Sequence, residues 1–459
     1  MESYDLIFDT TANSRDVSDQ VVTPEQTLAP SIHLEGTPST LAEPMRVLND
    51  KKAVAKTSSR EERNSCLKIH GIATAEKVGI LKQYIVCVFQ TNVLLTYRTR
   101  ARKAWLAQGQ NRIRNQITRV QLEDDSREVR RVRTLAVRAL YALGLDYGLV
   151  RVAIQAGNRV SIIDVNPSPK LNDEMKSVFV DAVHEYISML PRAAVNLKQV
   201  MLGADPEFMM RHSDGNLVMA SKYFPKRGRV GCDAIWHGQD RAKKPLVELR
   251  PEPTTDPREL VIRLYQGLRT ASHKVNEPNI EWLAGALPHH QFPLGGHIHF
   301  SGVSPNFKLL RALDHYLALP LVLVEDQRGI KRRPKYGFLG DYRLQFHGGF
   351  EYRTLPSWLI SPTLCKGVLA AAQLIVARYP ELTARDLHEL SVQKAYYEGE
   401  KEVLRDRASR LWGELTLLPE YKTYQKFLDA LSQYLFSGIT WDESKDFRIY
   451  WKLPPYSRK

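Results

Sequence analysis

Four segments in the second half of the chain share one pattern: apolar residues flank two charged or imidazole side chains placed two positions apart. They are Asp205 and Glu207 in GADPEF, Glu248 and Arg250 in VELRPEP, His297 and His299 in GGHIHFSG, and Glu351 and Arg353 in FHGGFEYRTLPSWL (346–359). Residues i and i+2 of an extended strand share a face, so Glu351 and Arg353 point one way and Tyr352 the other. A solvated ion pair explains any single E-x-R, and such pairs contribute under about 1 kcal/mol. Recurrence on four segments asks for more. Asp233 in VGCDAIW and Arg343 in GDYRLQF add single charges in similar surroundings.

Laid side by side, these strands would set the carboxylates of Asp205, Glu207, Asp233, Glu248 and Glu351 against the guanidinium groups of Arg250, Arg343 and Arg353. Like charges about 4 Å apart repel by roughly 4 kcal/mol per pair at an effective dielectric near 20, so the cluster needs cations. Oxygen-rich surroundings with one or two imidazoles suit magnesium or manganese better than zinc, and arginine forks suit phosphate. His297 and His299 alone could be zinc ligands, but no third soft ligand lies nearby in sequence. Gly295 and Gly296 permit either close strand packing or approach of the backbone to a ligand. Pro251 and Pro253 end the strand after Arg250. Carboxylates for metals and arginines for phosphate are what phosphoryl transfer from a nucleotide requires.

The chain has 459 residues, 43% hydrophobic and 25% charged, enough for two domains with their own cores. Cys66, Cys87, Cys232 and Cys365 form no C-x-x-C pair, which argues against a disulfide framework or a thiolate zinc site. MESYDLIFDT lacks the features of a secretory leader, and no apolar run reaches about 18 residues. A cytoplasmic protein without a membrane partner is the expectation. The net charge of +14 is uneven: residues 51–150 carry 20 basic and 8 acidic side chains, whereas residues 1–50 carry 2 and 9. That basic segment could draw an anionic partner. A solvated helix explains it as well, because REVRRVRTLAVRALYALGL (127–145) puts Val129, Val132, Leu135, Ala136 and Leu140 on one side and arginines on the other. Without interleaved aromatic residues, nucleic acid is disfavoured.

The pattern divides the chain into a flexible arm (1–60), a small α+β unit (61–195) and a larger α+β domain (198–455). In the small unit, residues 82–103 read as two strands, residues 150–169 as a hairpin turning at Ala156-Gly157-Asn158, and residues 172–190 as a helix opened by Asn172. In the larger, a helix begins at Pro257 behind Thr255 or Asp256 and buries Leu260, Val261, Leu264 and Leu268. Another helix is expected near 307–328, and more from 362 onward, around an antiparallel sheet.

GADPEF, the VGCDAIW to VELRPEP hairpin, GGHIHFSG, GDYRLQF and GGFEYRTLPSWL, in that order, resemble the phage-type carboxylate-amine ligase family, type 2 amidoligases of the glutamine synthetase-like superfamily. The resemblance implies a glutamine synthetase-like curved antiparallel sheet with packed helices. It also implies ATP, magnesium or manganese, and the joining of an amino-acid or peptide carboxylate to an amine through an acyl phosphate. Carried over by motif, Asp205, Glu207, Glu248, His297 and Glu351 would hold metal, with either histidine able to serve there. Arg250, His299, Arg343 and Arg353 would contact the nucleotide. Arg343 and Arg353 would also stabilise the moving phosphoryl group, and Asp233 would position the amine. A non-catalytic binding or assembly protein derived from such a ligase is the alternative; hydrolysis at a metal centre is a third reading, permitted by His297 and His299.

The front half has its own likeness. KQYIVCVF, RIRNQI (112–117), GLDYGLVRVAI (144–154) and IIDVNPSPKL (162–171) are similar to the C-terminal half of an ATP-grasp domain, with Asp164 and Asn166 at its magnesium-binding pair. Arg151 stands where such domains carry an acidic residue and Ile85 where many carry arginine. The likeness therefore implies a shortened, inactive relic in which Asp146 and Asp164 are structural.

Overall fold

The computed structural model describes residues 27–35, 37–75, 79–100, 116–346 and 348–456. The chain forms two compact units, Met1–Arg192 and Ala193–Lys459. No described helix is long and apolar enough to cross a membrane.

In the first unit a five-stranded antiparallel sheet runs in the order Gln116–Arg119, Asn92–Arg100, Ile80–Phe89, Tyr147–Gln155, Arg159–Asn166. The last two form the expected hairpin, and Gly157 turns it with a φ of 70°. Helix Arg127–Ala142 starts at Ser126, whose hydroxyl accepts from the Val129 N–H, and buries Val129, Val132, Ala136 and Leu140. Leu135 is only half-buried. On the polar side Arg133 donates to the carbonyls of Gln121, Leu122 and Asp124, and Arg131 to that of Asn158, so these two arginines fasten the unit's own turns.

The expected arm differs in its second half; residues 1–26 lie outside the described residues. Residues 27–60 contain the strands Ile32–His33 and Val47–Leu48 and the helix Lys51–Ser58, with Met45, Val47 and Leu48 buried. Asn49 explains why. At a φ of 55° and fully buried, it donates its N–H to Asp146 Oδ2 (2.7 Å) and accepts from the N–H groups of Asp146 (2.6 Å) and Tyr147 (3.1 Å). A composition rich in Ser, Thr and Pro hides such long-range main-chain pairing. Asp164 pairs with Arg63 at 2.9 Å. RIRNQI falls mostly outside the described residues.

The second unit is built on one long excursion of chain. Strand Met201–Ala204 belongs to a four-stranded antiparallel sheet in the order Tyr342–Leu344, Phe350–Tyr352, Ile298–Ser301, Met201–Ala204. Through Asp205-Pro206 the chain passes into Glu207–His212, the centre of a five-stranded sheet that includes Leu246–Leu249, Val230–Cys232, Leu217–Val218 and Ile280–Leu283. The ladder does not break there: the Asp205 N–H donates to the His297 carbonyl at 3.3 Å, and the Glu207 N–H to that of Gly295 at 2.9 Å. The two sheets therefore join along this edge as one curved antiparallel surface.

Apolar residues lock its reverse side. Tyr352 is fully buried and donates to Asp314 Oδ1 at 2.6 Å. Helix Pro257–Lys274, capped by Asp256, buries Leu260, Val261, Leu264 and Leu268, and helix Pro362–Arg378 is buried along nearly its whole length. The helix expected near 307–328 is broken into Phe307–Leu313, a wider π turn Asp314–Ala318, and short pieces ending at Val324. Pro320 lacks the N–H that a regular helix would need there.

Gly295 and Gly296 prove to be packing positions. A Cβ on Gly295 would lie 2.3 Å from His297 Nε2, and one on Gly296 2.2 Å from the Pro356 carbonyl and 2.6 Å from the Trp358 ring. Gly296→Ala should lower stability by about 1–3 kcal/mol through overpacking. Gly413→Ala, in an exposed helix position with open space around it, should be neutral or stabilise by up to about 1 kcal/mol. Urea midpoints of the two variants test this; equal midpoints would contradict the packing described.

Candidate functional site

Strand register decides which side chains meet. Arg343, Glu351, His299 and Gly203 are direct neighbours across four strands, and Glu207 stands opposite Glu248 across two more. Because alternate residues share a face, Asp205, His297 and Arg353 fall on the same side as this row. The structure thus brings the four two-apart pairs onto one concave strip.

Asp205 is the hub. His297 Nδ1 lies 3.1 Å from its Oδ1 and 3.3 Å from Glu351 Oε1, while His299 Nε2 lies 3.1 Å from Asp205 Oδ2. Glu351, fully buried, has Oε2 held by Arg343 Nε (2.8 Å) and by Gln345 Nε2 (2.9 Å), and Arg353 Nε is 3.1 Å from Oε1. Toward the other end Glu207 Oε2 accepts from the Gly295 N–H at 2.7 Å, and Glu248 pairs with Arg250. Asp233 is half-buried; its Oδ2 accepts from the Ile235 N–H at 3.0 Å, and its charge bears on Glu207. Arg343 is the most exposed of the three arginines, at 57% of its side-chain surface against 33% for Arg250 and Arg353. It can reach a ligand arriving from solvent.

Crowding fixes the protons. Burial lifts the Glu207 carboxyl to about 7, with His297 opposing and Asp233 adding to the rise. Burial, then Asp205, pushes Glu248 to about 9 against the pull of Arg250. Burial disfavours charge on His297, but Asp205, Glu207 and Glu351 outweigh it and raise the imidazole to about 9. Burial is likewise overcome at Asp205, which His297 and His299 hold well below the usual carboxylate range. The strip on its own retains protons that a cation would displace.

The donor set fits a divalent ion. Ligand atoms of Asp205, His299 and Glu351 all lie within 4.8 Å of one another. Glu351 Oε1 and His299 Nε2 are buried and meet their charged neighbours at ion-pair distance without well-aligned hydrogen bonds, an arrangement that a bound cation would satisfy. The converging imidazole is His299, expected at the nucleotide, whereas His297 spans Asp205 and Glu351. Gln345 escaped the sequence reading; its signal is its place two residues after Arg343 in YRLQF, on the same face.

Between pH 6 and 9 the pH dependence has one sign, because Asp205, held low, stays ionised throughout that range. Glu207, Glu248 and His297 all have folded values above their ordinary ones, so the ion-free protein keeps their contribution below about pH 4.5 for the acids and loses it as pH rises through about 7 and 9. For Glu207 alone the loss is of order 3 kcal/mol. Melting temperature should fall from pH 6 to 9, and added Mn2+ should raise it more at pH 8.5 than at pH 6. An ion effect equal at both values would contradict the assigned protonation.

Residues 202–453 match the family model described as phage phiEco32-like COOH.NH2 ligase, type 2. No curated protein matches the chain. Among solved structures, a bifunctional glutathione synthetase from Pasteurella multocida is similar at 13% identity and a TM-score of 0.33, over 56% of this chain and 50% of that one. The chain thus spans half the length of that enzyme. A novel glutamine synthase homologue is similar at 13% identity and a TM-score of 0.27, over 55% and 70%. With its motifs matched over more than half its length and in one strip, the chain belongs to the phage-type carboxylate-amine ligase family, type 2.

Proposed function

We propose that this protein is an ATP-dependent ligase that joins an amino-acid or peptide carboxylate to an amine through an acyl phosphate. The observation that carries the reading is the buried strip itself, in which Asp205, His299 and Glu351 turn ligand atoms within 4.8 Å of one another beside three arginines. Asp205, His299 and Glu351 would hold one magnesium or manganese ion, and Glu207 with Glu248 another; bound there, such ions neutralise the carboxylates and polarise phosphate oxygens. His297, charged at neutral pH by its carboxylate neighbours, keeps Asp205 and Glu351 in place.

Arg343 and Arg353 would bind the γ-phosphoryl group as negative charge shifts within it, and Arg250 a second phosphate or the substrate carboxylate. A carboxylate oxygen of the substrate forms the new bond to phosphorus while the bond to ADP breaks. The amine nitrogen, positioned by Asp233, then bonds to the acyl carbon; phosphate departs and the nitrogen gives up a proton. Phosphate release by the purified protein should require ATP, a divalent ion, a carboxylate and an amine together, measured across a panel of amino acids and peptides. Glu351→Gln should lower turnover by about 100- to 1,000-fold with the fold intact. Full activity in that variant would defeat the assignment, and nucleotide binding without any turnover would favour the assembly role.

A further inference from the structure

Arg332 lies outside the strip, at the end of the turn Gln327–Arg332, and only 5% of it is exposed. Its guanidinium gives two donors to main-chain carbonyls: Nη1 to Thr354 at 2.9 Å and Nη2 to Leu355 at 3.0 Å. Those are the two residues that follow Arg353. A buried charge is costly to desolvate, and one that serves successive carbonyls fixes backbone geometry. Lysine, a point charge without a planar fork, cannot reproduce that grip.

The surroundings are shaped for the contact. Gly337, at a φ of 65°, passes so close that a Cβ would stand 1.9 Å from Arg332 Nη1. From the same turn the Phe338 carbonyl accepts from Thr354 Oγ1 at 3.0 Å, and the Asp341 carbonyl accepts from the Arg353 N–H at 2.8 Å. The Leu355 carbonyl is shared: it also accepts from the Gly296 N–H at 3.1 Å, one residue before His297. One guanidinium thus fixes the chain just beyond the Phe350–Tyr352 strand, at the carbonyl that joins it to the segment leading into the histidine strand.

We propose that Arg332 is a positioning residue that sets Arg353, and through the shared Leu355 carbonyl the neighbouring histidine strand, for phosphoryl transfer. The inference rests on the ligase reading above. Displacements near 1 Å and the loss of supporting contacts each cost about 10- to 100-fold, so Arg332→Met and Arg332→Lys should both lower kcat by that factor while KM for ATP stays within about threefold. The decisive comparison is a double-mutant cycle. If Arg332 acts largely through Arg353, the Arg332→Met/Arg353→Met protein should be slower than Arg353→Met by a much smaller factor than Arg332→Met costs alone, the remainder being the part carried by the histidine strand. A purely structural residue would give losses that multiply. Circular dichroism and melting temperature accompany each variant, and Arg332→Lys carries the cycle should Arg332→Met not fold. Multiplying losses, or kcat within twofold of the unaltered protein, would overturn the positioning role and leave the ligase reading standing; an unaltered protein without turnover would remove both.

Discussion

Buried carboxylates that cannot all be ionised together set the terms for the second unit. Asp205, Glu207, Glu248 and Glu351 share a strip with little access to water, and in isolation their repulsion would exceed what a domain's stability can absorb. Compensation comes in graded form. Two imidazoles lie at Asp205, guanidinium groups close on Glu351 and Glu248, and Glu207 and Glu248 keep protons well above their ordinary range. The arrangement is balanced only in part, and Glu351 Oε1 and His299 Nε2 are where the balance is unfinished.

Concentrating such charge depends on a backbone that does not move. The ladder carried across Asp205-Pro206 lets a single run of chain serve two sheets, so residues 205 and 207 face partners from both. The reverse side supplies stiffness through Tyr352, Trp358 and the buried helix Pro362–Arg378. Glu207, Glu248, His299, Arg343 and Glu351 stand on strands, and Asp205, Arg250, His297 and Arg353 lie one residue beyond a strand end, which suits chemistry that needs fixed distances.

Much of this was legible in the sequence. Period-two placement of Glu351 with Arg353, and of His297 with His299, shows which side chains share a face, and the helix from Pro257 declares itself through its cap and stripe. What sequence pattern withholds is contact at long range. Asn49 looks like an arm residue until Asp146, almost a hundred positions later, is found bonded to it. Arg332 sits in a basic QRGIKR run that carries no pattern pointing to burial, and only the fold shows its guanidinium turned inward to Thr354 and Leu355. That His299 converges with Asp205 and Glu351 while His297 spans the two carboxylates is likewise a matter of side-chain geometry, which spacing does not encode.

The alternation of Glu351 and Tyr352 also bears on how the sheet avoids assembling wrongly. A shift of that strand by one residue would carry the Glu351 carboxylate to the apolar side, toward Asp314, and drive the Tyr352 ring out among the acids. Both halves of such an error are unfavourable at once, one by like-charge repulsion in a dry interior and the other by stranding an aromatic ring. The residues that equip the strip thereby act as a proofreading device for the strand that carries them, and correct alignment is enforced before any substrate arrives.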